Sequence, residues 1–268
     1  MATLSRKVYE EICQIVYEQC GINLGEKKHA LVHGRLGKRL RALGLQCYED
    51  YLEFLLEDES GDEIVQLLDV ISTNHTHFFR EPTHFEFLQE VLQKKLKAGN
   101  RKFRIWCAAA SSGEEPYTLS MVAQEACLGY EVDLRILATD ISTKVLRQCL
   151  KGEYEEQKMA GISADLRKKW WKKIGDDLWS AKASLRKPLT FTRLNLMESP
   201  YPMSGPFDVV FCRNVMIYFD IHGRQKVISE AQRLLGTNDI LIVGHSESLN
   251  GINHDFKMIK PSVYQRNY

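Results

Sequence analysis

The sequence has no run of about eighteen consecutive apolar residues, so no segment reads as a helix able to cross a membrane. Its opening stretch, MATLSRKVYEEICQ, has no long apolar run, and no signal peptide is expected. No C-x-x-C pair is present. The seven cysteines (Cys13, Cys20, Cys47, Cys107, Cys127, Cys149 and Cys212) are scattered and odd in number, which argues against a disulfide framework or a structural zinc site and fits a reducing cytoplasm. Net charge is nearly absent as well: the formal charge is +1 and the pI is near 7.6. A globally basic nucleic-acid binder is therefore not indicated, although a local patch remains open. Neither internal repeats nor low-complexity segments occur. What remains is a chain of 268 residues, 44% hydrophobic, long enough for a sizeable core and more naturally for two domains than one.

Two hydrophobic periods divide it. Up to about residue 75 the spacing is helical. Leu4, Val8, Ile12, Ile15 and Val16 form one stripe ended by Gly21, and Leu31, Val32, Leu36 and Leu40 a second ended by Gly44. Tyr51, Leu52, Leu55 and Leu56 make a third, and Ile64, Val65, Leu68 and Ile71 a fourth. This predicts a helical N-terminal domain over 1–75, and a second domain over 76–268. After Lys97 strands alternate with helices: FRIWCAAA (103–110), VDLRILATD (132–140), FDVVFC (207–212) and DILIVGHS (239–246) read as strands, with helices over 114–127, from Ser142, and over 221–235. That alternation predicts an α/β fold, a mostly parallel sheet covered on both faces. Between 151 and 192 the alternation breaks, and a small antiparallel β-subdomain is expected at about 175–192. The Trp170–Trp171 pair within this region reads as packing.

In parallel sheets ligands bind beyond the carboxyl ends of the strands. AAASSGEE, ATDIS, CRNVMIY and GHSES all stand at such ends. The first carries one glycine, Gly113, not the three of a dinucleotide fingerprint, which disfavours an NAD-dependent dehydrogenase. Glu114 and Glu115 follow it. Glu114 reads as a helix-start carboxylate, and the pair would repel a pyrophosphate but tolerate a cation. Asp140 ends the next strand. It either accepts ribose hydroxyls or caps the following helix, a task Ser142 performs equally well. A nucleoside ligand without a pyrophosphate fits these residues, and S-adenosylmethionine is such a ligand. The Asn/Asp-Pro-Pro-aromatic motif of base-amine methyltransferases is missing from FDVVFCRNVMIYF. Residues 26–41 hold Lys27, Lys28, Arg35, Lys38, Arg39 and Arg41, readable as a solvated face, a docking surface for an acidic partner or an RNA contact. His75, His77 and His84 raise a metal reading, but no acidic or thiol ligand stands at suitable spacing, so no metal is expected.

NHTHFFREPTHF, AAASSGEEPYTL, ATDIS, GPFDVVFCRNVMIYFD and GHSESL, in this order, resemble the CheR family of chemotaxis receptor glutamate O-methyltransferases over nearly the whole chain. The resemblance implies a class I S-adenosylmethionine-dependent methyltransferase domain, Rossmann-like, with an all-α N-terminal domain and an inserted antiparallel β-subdomain. It implies S-adenosylmethionine as methyl donor, S-adenosylhomocysteine as product, and glutamates in the cytoplasmic helical region of chemoreceptors as acceptors. Carried over residue by residue, Asn74, Thr76 and Arg80 line the cofactor site, Glu115 meets the methionine tail, Asp140 holds the ribose, Asn195 and Leu196 flank the adenine, and Arg213 and Asn214 complete the site. Arg80 and Tyr218 are the expected catalytic pair, Arg80 orienting the acceptor or cofactor and Tyr218 aligning the methyl group. The alternative for Arg80 is an ion pair with Glu81 or Glu115 that closes a hinge. The basic residues of 26–41 become a receptor-docking surface on a monomer that binds no nucleic acid. A non-catalytic adaptor, or an enzyme for a small carboxylic acid, is the rival reading. The intact Arg80, Glu115, Asp140 and Tyr218 argue against the first, and the basic N-terminal part against the second.

Overall fold

A computed structural model describes residues 3–71 and 75–267. Helix α1 (Arg6–Cys20) starts on Ser5, whose hydroxyl accepts from the Val8 N–H, and stops at Gly21, which takes φ 68° to close the last turn. It is followed by α2 (His29–Leu43), α3 (Tyr48–Glu57) and α4 (Asp62–Ile71). Their apolar stripes meet in a single core around Ile12, Val16, Val32, Leu36, Tyr51 and Leu67. Each such side chain, fully buried, stabilises the bundle by about 1.5–3 kcal/mol before the entropy of ordering is counted. Three members of the expected stripes fall outside this core: Leu31 and Leu56 are exposed, and Val65 is half-buried away from it.

Helix α5 (Thr83–Lys97) packs Phe85, Leu88, Leu92 and Leu96 against the sheet that follows. Then come β1 (Lys102–Cys107), α6 (Glu114–Ala126), β2 (Asp133–Asp140) and α7 (Thr143–Lys151), in the expected alternation. The next stretch holds β3 (Glu153–Glu155), α8 (Ala164–Trp170), β4 (Trp171–Lys173), β5 (Leu178–Ala181), α9 (Ala183–Arg186) and β6 (Leu189–Arg193). The chain ends with β7 (Phe207–Cys212), α10 (Ile221–Leu234), β8 (Leu235–Val243), β9 (Phe256–Lys260) and β10 (Val263–Arg266).

The main sheet has the order β6-β2-β1-β7-β8-β10-β9. Its first five strands run parallel, and β10 and β9 turn antiparallel at one edge. Helices α5 and α6 cover one face and α10 the other. Lys95 ties β7 and β8 together, its ammonium 2.5 Å from Asp208 and 2.6 Å from Asp239. The order reverses at β1, with β2 on one side and β7 on the other, and this leaves a crevice above the carboxyl end of β1.

The insertion differs from the expected span of about 175–192. Its three-stranded antiparallel sheet is β3-β5-β4, so it runs from about residue 153 to 181, and 189–193 is the parallel edge strand of the main sheet. Strands of three or four residues carry too little periodicity to be seen in sequence. The two tryptophans pack as expected: Trp171 is buried among Phe78, Tyr117 and Tyr154 with ring centroids 5.4–5.6 Å apart, and the Trp170 indole N–H donates to Glu125.

Candidate active site

Above the carboxyl ends of β1, β2 and β7 lies a cavity of about 1040 Å³, its open mouth included. Sequence-distant parts line it. The helical unit contributes Cys20, Ile22, Leu24, Lys28 and Leu31, and the sheet unit contributes its strand ends.

The turn after β1 is built for close approach. Gly113 takes φ 101°, and a Cβ there would lie 2.3 Å from the Tyr154 hydroxyl, so no other residue fits. Of the six non-glycine residues with positive φ among the described residues, Ser111 and Asn214 line the cavity, and Phe79 and Glu81 flank the lining residue Arg80 in the chain. Such backbone costs on the order of 1–3 kcal/mol per residue and collects at functional sites. Glu114 is wholly buried, accepting from Ser112 Oγ at 2.6 Å and from Lys158 Nζ at 2.9 Å, the helix-start role expected of it.

Asp140 is buried at the tip of β2. Oδ2 accepts from the Ser111 N–H at 2.8 Å and Oδ1 from the Ser142 N–H at 3.0 Å. The N-cap of α7 is Ser142, whose Oγ accepts from the Val145 N–H, so Asp140 is not consumed by capping. A carboxylate offers about four lone-pair sites, and two remain for a ligand. Burial raises the Asp140 pKa above the ordinary aspartate range, against the lowering effect of these backbone N–H groups. Ser111 lines the cavity too, and its hydroxyl is buried without a hydrogen-bond partner. An orphaned hydroxyl beside a half-used carboxylate fits the hydroxyl-rich ribose of a nucleoside.

Glu115 faces the cavity from the first turn of α6, with Arg213 Nη1 2.7 Å away and the Cys107 thiol 3.2 Å away. Burial lifts the Glu115 pKa, and the Arg213 charge opposes that lift. Arg213 is itself buried. Its Nη2 donates to Glu81 Oε2 at 2.9 Å and to the Arg80 carbonyl at 2.5 Å, with the guanidinium 5.3 Å from the Phe85 ring centroid. The hinge-closing ion pair allowed for Arg80 is therefore made by Arg213, which couples Glu81 to Glu115. Arg80 Nη1 instead donates to the His75 carbonyl at 2.8 Å, and among the described residues no carboxylate pairs with it. Arg80, Thr76 and Tyr218 all line the cavity. Asn74 lies outside the described residues.

Asn195 and Leu196 line the opposite wall. The Asn195 amide donates to the Gln19 carbonyl at 2.6 Å and to Glu198 at 2.9 Å, so it also binds the end of α1 to the sheet unit. Asn214 donates through its side chain to Glu81 at 3.4 Å. Glu247 of GHSES accepts the main-chain N–H groups of Asn214, Val215, Ile217 and Gly244 and so shapes the loop that carries Tyr218. Sequence reasoning named Glu81 as a possible partner of Arg80 rather than of Arg213, and missed Ser111 and Glu247. The only signal for them was their place within segments already marked as facing the site.

The basic stretch is not one solvated face. Arg35 donates to the Val70 and Ile71 carbonyls, closing the end of α4, and Arg39 holds buried Glu63. Lys28 turns to the cavity, 4.9 Å from the Tyr218 ring centroid. Lys38 and Arg41 are exposed, and the Lys27 side chain lies outside the description. Charge on one helix cannot show, in sequence, which members a neighbouring helix consumes. The histidine grouping also changes. Among the described residues, His84 gathers with Glu81 and His245, not with His75 and His77.

The chain has a class I S-adenosylmethionine-dependent methyltransferase fold: a mostly parallel sheet with a small-residue turn after β1 and a buried carboxylate at the tip of β2. Two family models match the chain: "CheR methyltransferase, all-alpha domain" over residues 7–72 and "CheR methyltransferase, SAM binding domain" over 74–265. A chemotaxis protein methyltransferase of Borreliella burgdorferi is 38% identical over 98% of this chain and 95% of its own length. Those of Salmonella typhimurium and Escherichia coli are 34% and 33% identical, each over 97% of this chain and 90% and 91% of their own. The chain belongs to the CheR methyltransferase family, and S-adenosylmethionine is its cofactor. Among the described residues, no helix is long and apolar enough to cross a membrane.

Proposed function

We propose that this methyltransferase serves chemotaxis by esterifying glutamate side chains of chemoreceptors in the cytoplasm, leaving glutamate methyl esters and S-adenosylhomocysteine. One observation carries the reading: two cations, Arg80 and Lys28, line the cavity, and neither is paired with a carboxylate among the described residues. A cavity in which Arg213 is already paired with carboxylates while Arg80 and Lys28 donate only to backbone carbonyls among the described residues suits an anionic acceptor.

S-adenosylmethionine, when bound, supplies an electrophilic methyl group on a sulfonium. Asp140 and Ser111 would hold its ribose, Glu115 its ammonium, and Leu196 its adenine. The acceptor glutamate, with a pKa near 4.3 in model peptides, is ionised at neutral pH, so the site needs no strong base. Its task is alignment, which in favourable cases lowers a barrier by about 7–11 kcal/mol. Arg80 takes and orients the acceptor carboxylate, and Tyr218 sets the direction of approach. Lys38 and Arg41, exposed on α2, serve as the steering charge for an acidic receptor helix.

The test is transfer of labelled methyl groups to a panel of receptor cytoplasmic fragments. Label that mild base releases as methanol supports ester formation on carboxylates. Base-stable label, or cofactor binding with no transfer to any fragment, overturns the proposal, the second outcome favouring an adaptor.

A further inference from the structure

His84 is buried, 2% exposed, and neither ring nitrogen has a hydrogen-bond partner. Buried polar groups are almost always satisfied, and an orphaned one calls for a water or an ion. Its surroundings favour an ion. Glu81 Oε2 lies 3.4 Å from His84 Nδ1, and the His245 ring stands edge-on to His84 with centroids 4.7 Å apart. One ligand atom from each of these three residues falls within 4.8 Å of the others. His245 is exposed and gives the group an open side.

The local charge agrees. Glu81, Glu115 and Glu247 are joined through Arg213 and Asn214, three carboxylates against one buried guanidinium. Two imidazoles and one carboxylate with a position left for water match zinc chemistry and mismatch the all-oxygen shells of calcium or magnesium. Arg213 and the His245 main-chain N–H both donate to Glu81 Oε2 and are the competitors, whereas Oε1 accepts only from the Asn214 side chain at 3.4 Å.

We propose that Glu81, His84 and His245 form a three-ligand site for a zinc-type dication. The site clips the start of α5 and the turn before it to the loop after β8, the two segments that flank Arg213. It stands beside the cofactor cavity, and its ligands take no part in methyl transfer.

The experiment titrates the whole protein with Zn2+ against a chromophoric chelator and records the visible spectrum of its Co2+ form. The wild type should bind one equivalent tightly, with a cobalt spectrum of nitrogen and oxygen ligation. His245→Ala, at an exposed position that folding tolerates, should lose roughly tenfold or more in Zn2+ affinity. His222→Ala, another exposed histidine, should bind as the wild type does. Absence of tight binding, equal affinity in His245→Ala, equal loss in His222→Ala, or a cobalt spectrum of thiolate ligation from the free cysteines overturns the proposal.

Discussion

The main-chain N–H of Asn23 donates to the Tyr218 carbonyl across 2.9 Å, so the loop of the expected catalytic tyrosine is held by the helical unit. Tyr17 adds a hydrogen bond of 2.5 Å to Asp220 nearby, and the Lys28 ammonium lies over the Tyr218 ring. A cation over an aromatic face contributes about 0.5–2 kcal/mol. Lys28→Gln is therefore expected to lower kcat for receptor methylation by no more than roughly thirtyfold, with at most about 2 kcal/mol of folding stability lost. Stopped-time methylation assays beside a melting curve check this.

Arg80→Ala should cut transfer by on the order of a hundredfold to a thousandfold, the usual loss when one preorganised charge donor is removed. Affinity for S-adenosylhomocysteine, measured by calorimetry, should change far less, because the orienting role concerns the acceptor. Turnover close to that of the wild type in a well-folded variant would remove Arg80 from the mechanism.

Asp140→Asn should weaken cofactor binding by about tenfold to a hundredfold, the value of hydrogen bonds to a charged acceptor. Asp140 also sets a pH dependence. Its pKa is raised by burial, with Asp69 the neighbouring charge that adds to the rise. Protonation therefore begins above the ordinary aspartate value of about 3.9, and cofactor affinity falls as pH is lowered toward it. Calorimetric titrations across acid pH should show this decline in the wild type and a flatter profile in the Asn variant.

Lys38→Glu and Arg39→Ala separate docking from folding. Lys38 is exposed, so reversal should change stability by no more than about 0.5 kcal/mol while raising KM for receptor, most at low salt. Arg39 holds Glu63, which is 4% exposed and otherwise accepts from Tyr51 Oη at 2.9 Å. Its removal should cost about 1–3 kcal/mol of stability in urea unfolding, a loss unrelated to receptor.

Gly113→Ala places a Cβ against Tyr154 and Cys149 at a φ of 101°. Strain and overpacking together should destabilise by about 1–3 kcal/mol and depress cofactor affinity, read from urea midpoints and binding isotherms.

Local pattern carried most of the sheet. Strands such as FRIWC and FDVVFC are buried on both faces and read as continuous apolar runs, and each ends in small or polar residues that mark the ligand side. The hairpin of β9 and β10 gave no such sign, because β9 is an edge strand with four of its five residues exposed. The edge strand β6 was lost in the same way to the insertion that precedes it. In the site, Asp140 and Glu115 were legible from their places after strands. The exchange of roles between Arg80 and Arg213 was not, since it depends on Glu81 and Glu115 meeting a residue about a hundred or more positions away.

Phe78 is set among the aromatics of the inserted sheet, and its neighbour Phe79 packs where that cluster meets the main core. Arg80 comes next in the chain, and among the described residues its side chain is fastened to the His75 carbonyl. Its aim is thus inherited from two anchored rings upstream. A load applied to the inserted sheet, by whatever grips that outlying flap, would be delivered through those rings to the guanidinium at the cavity mouth.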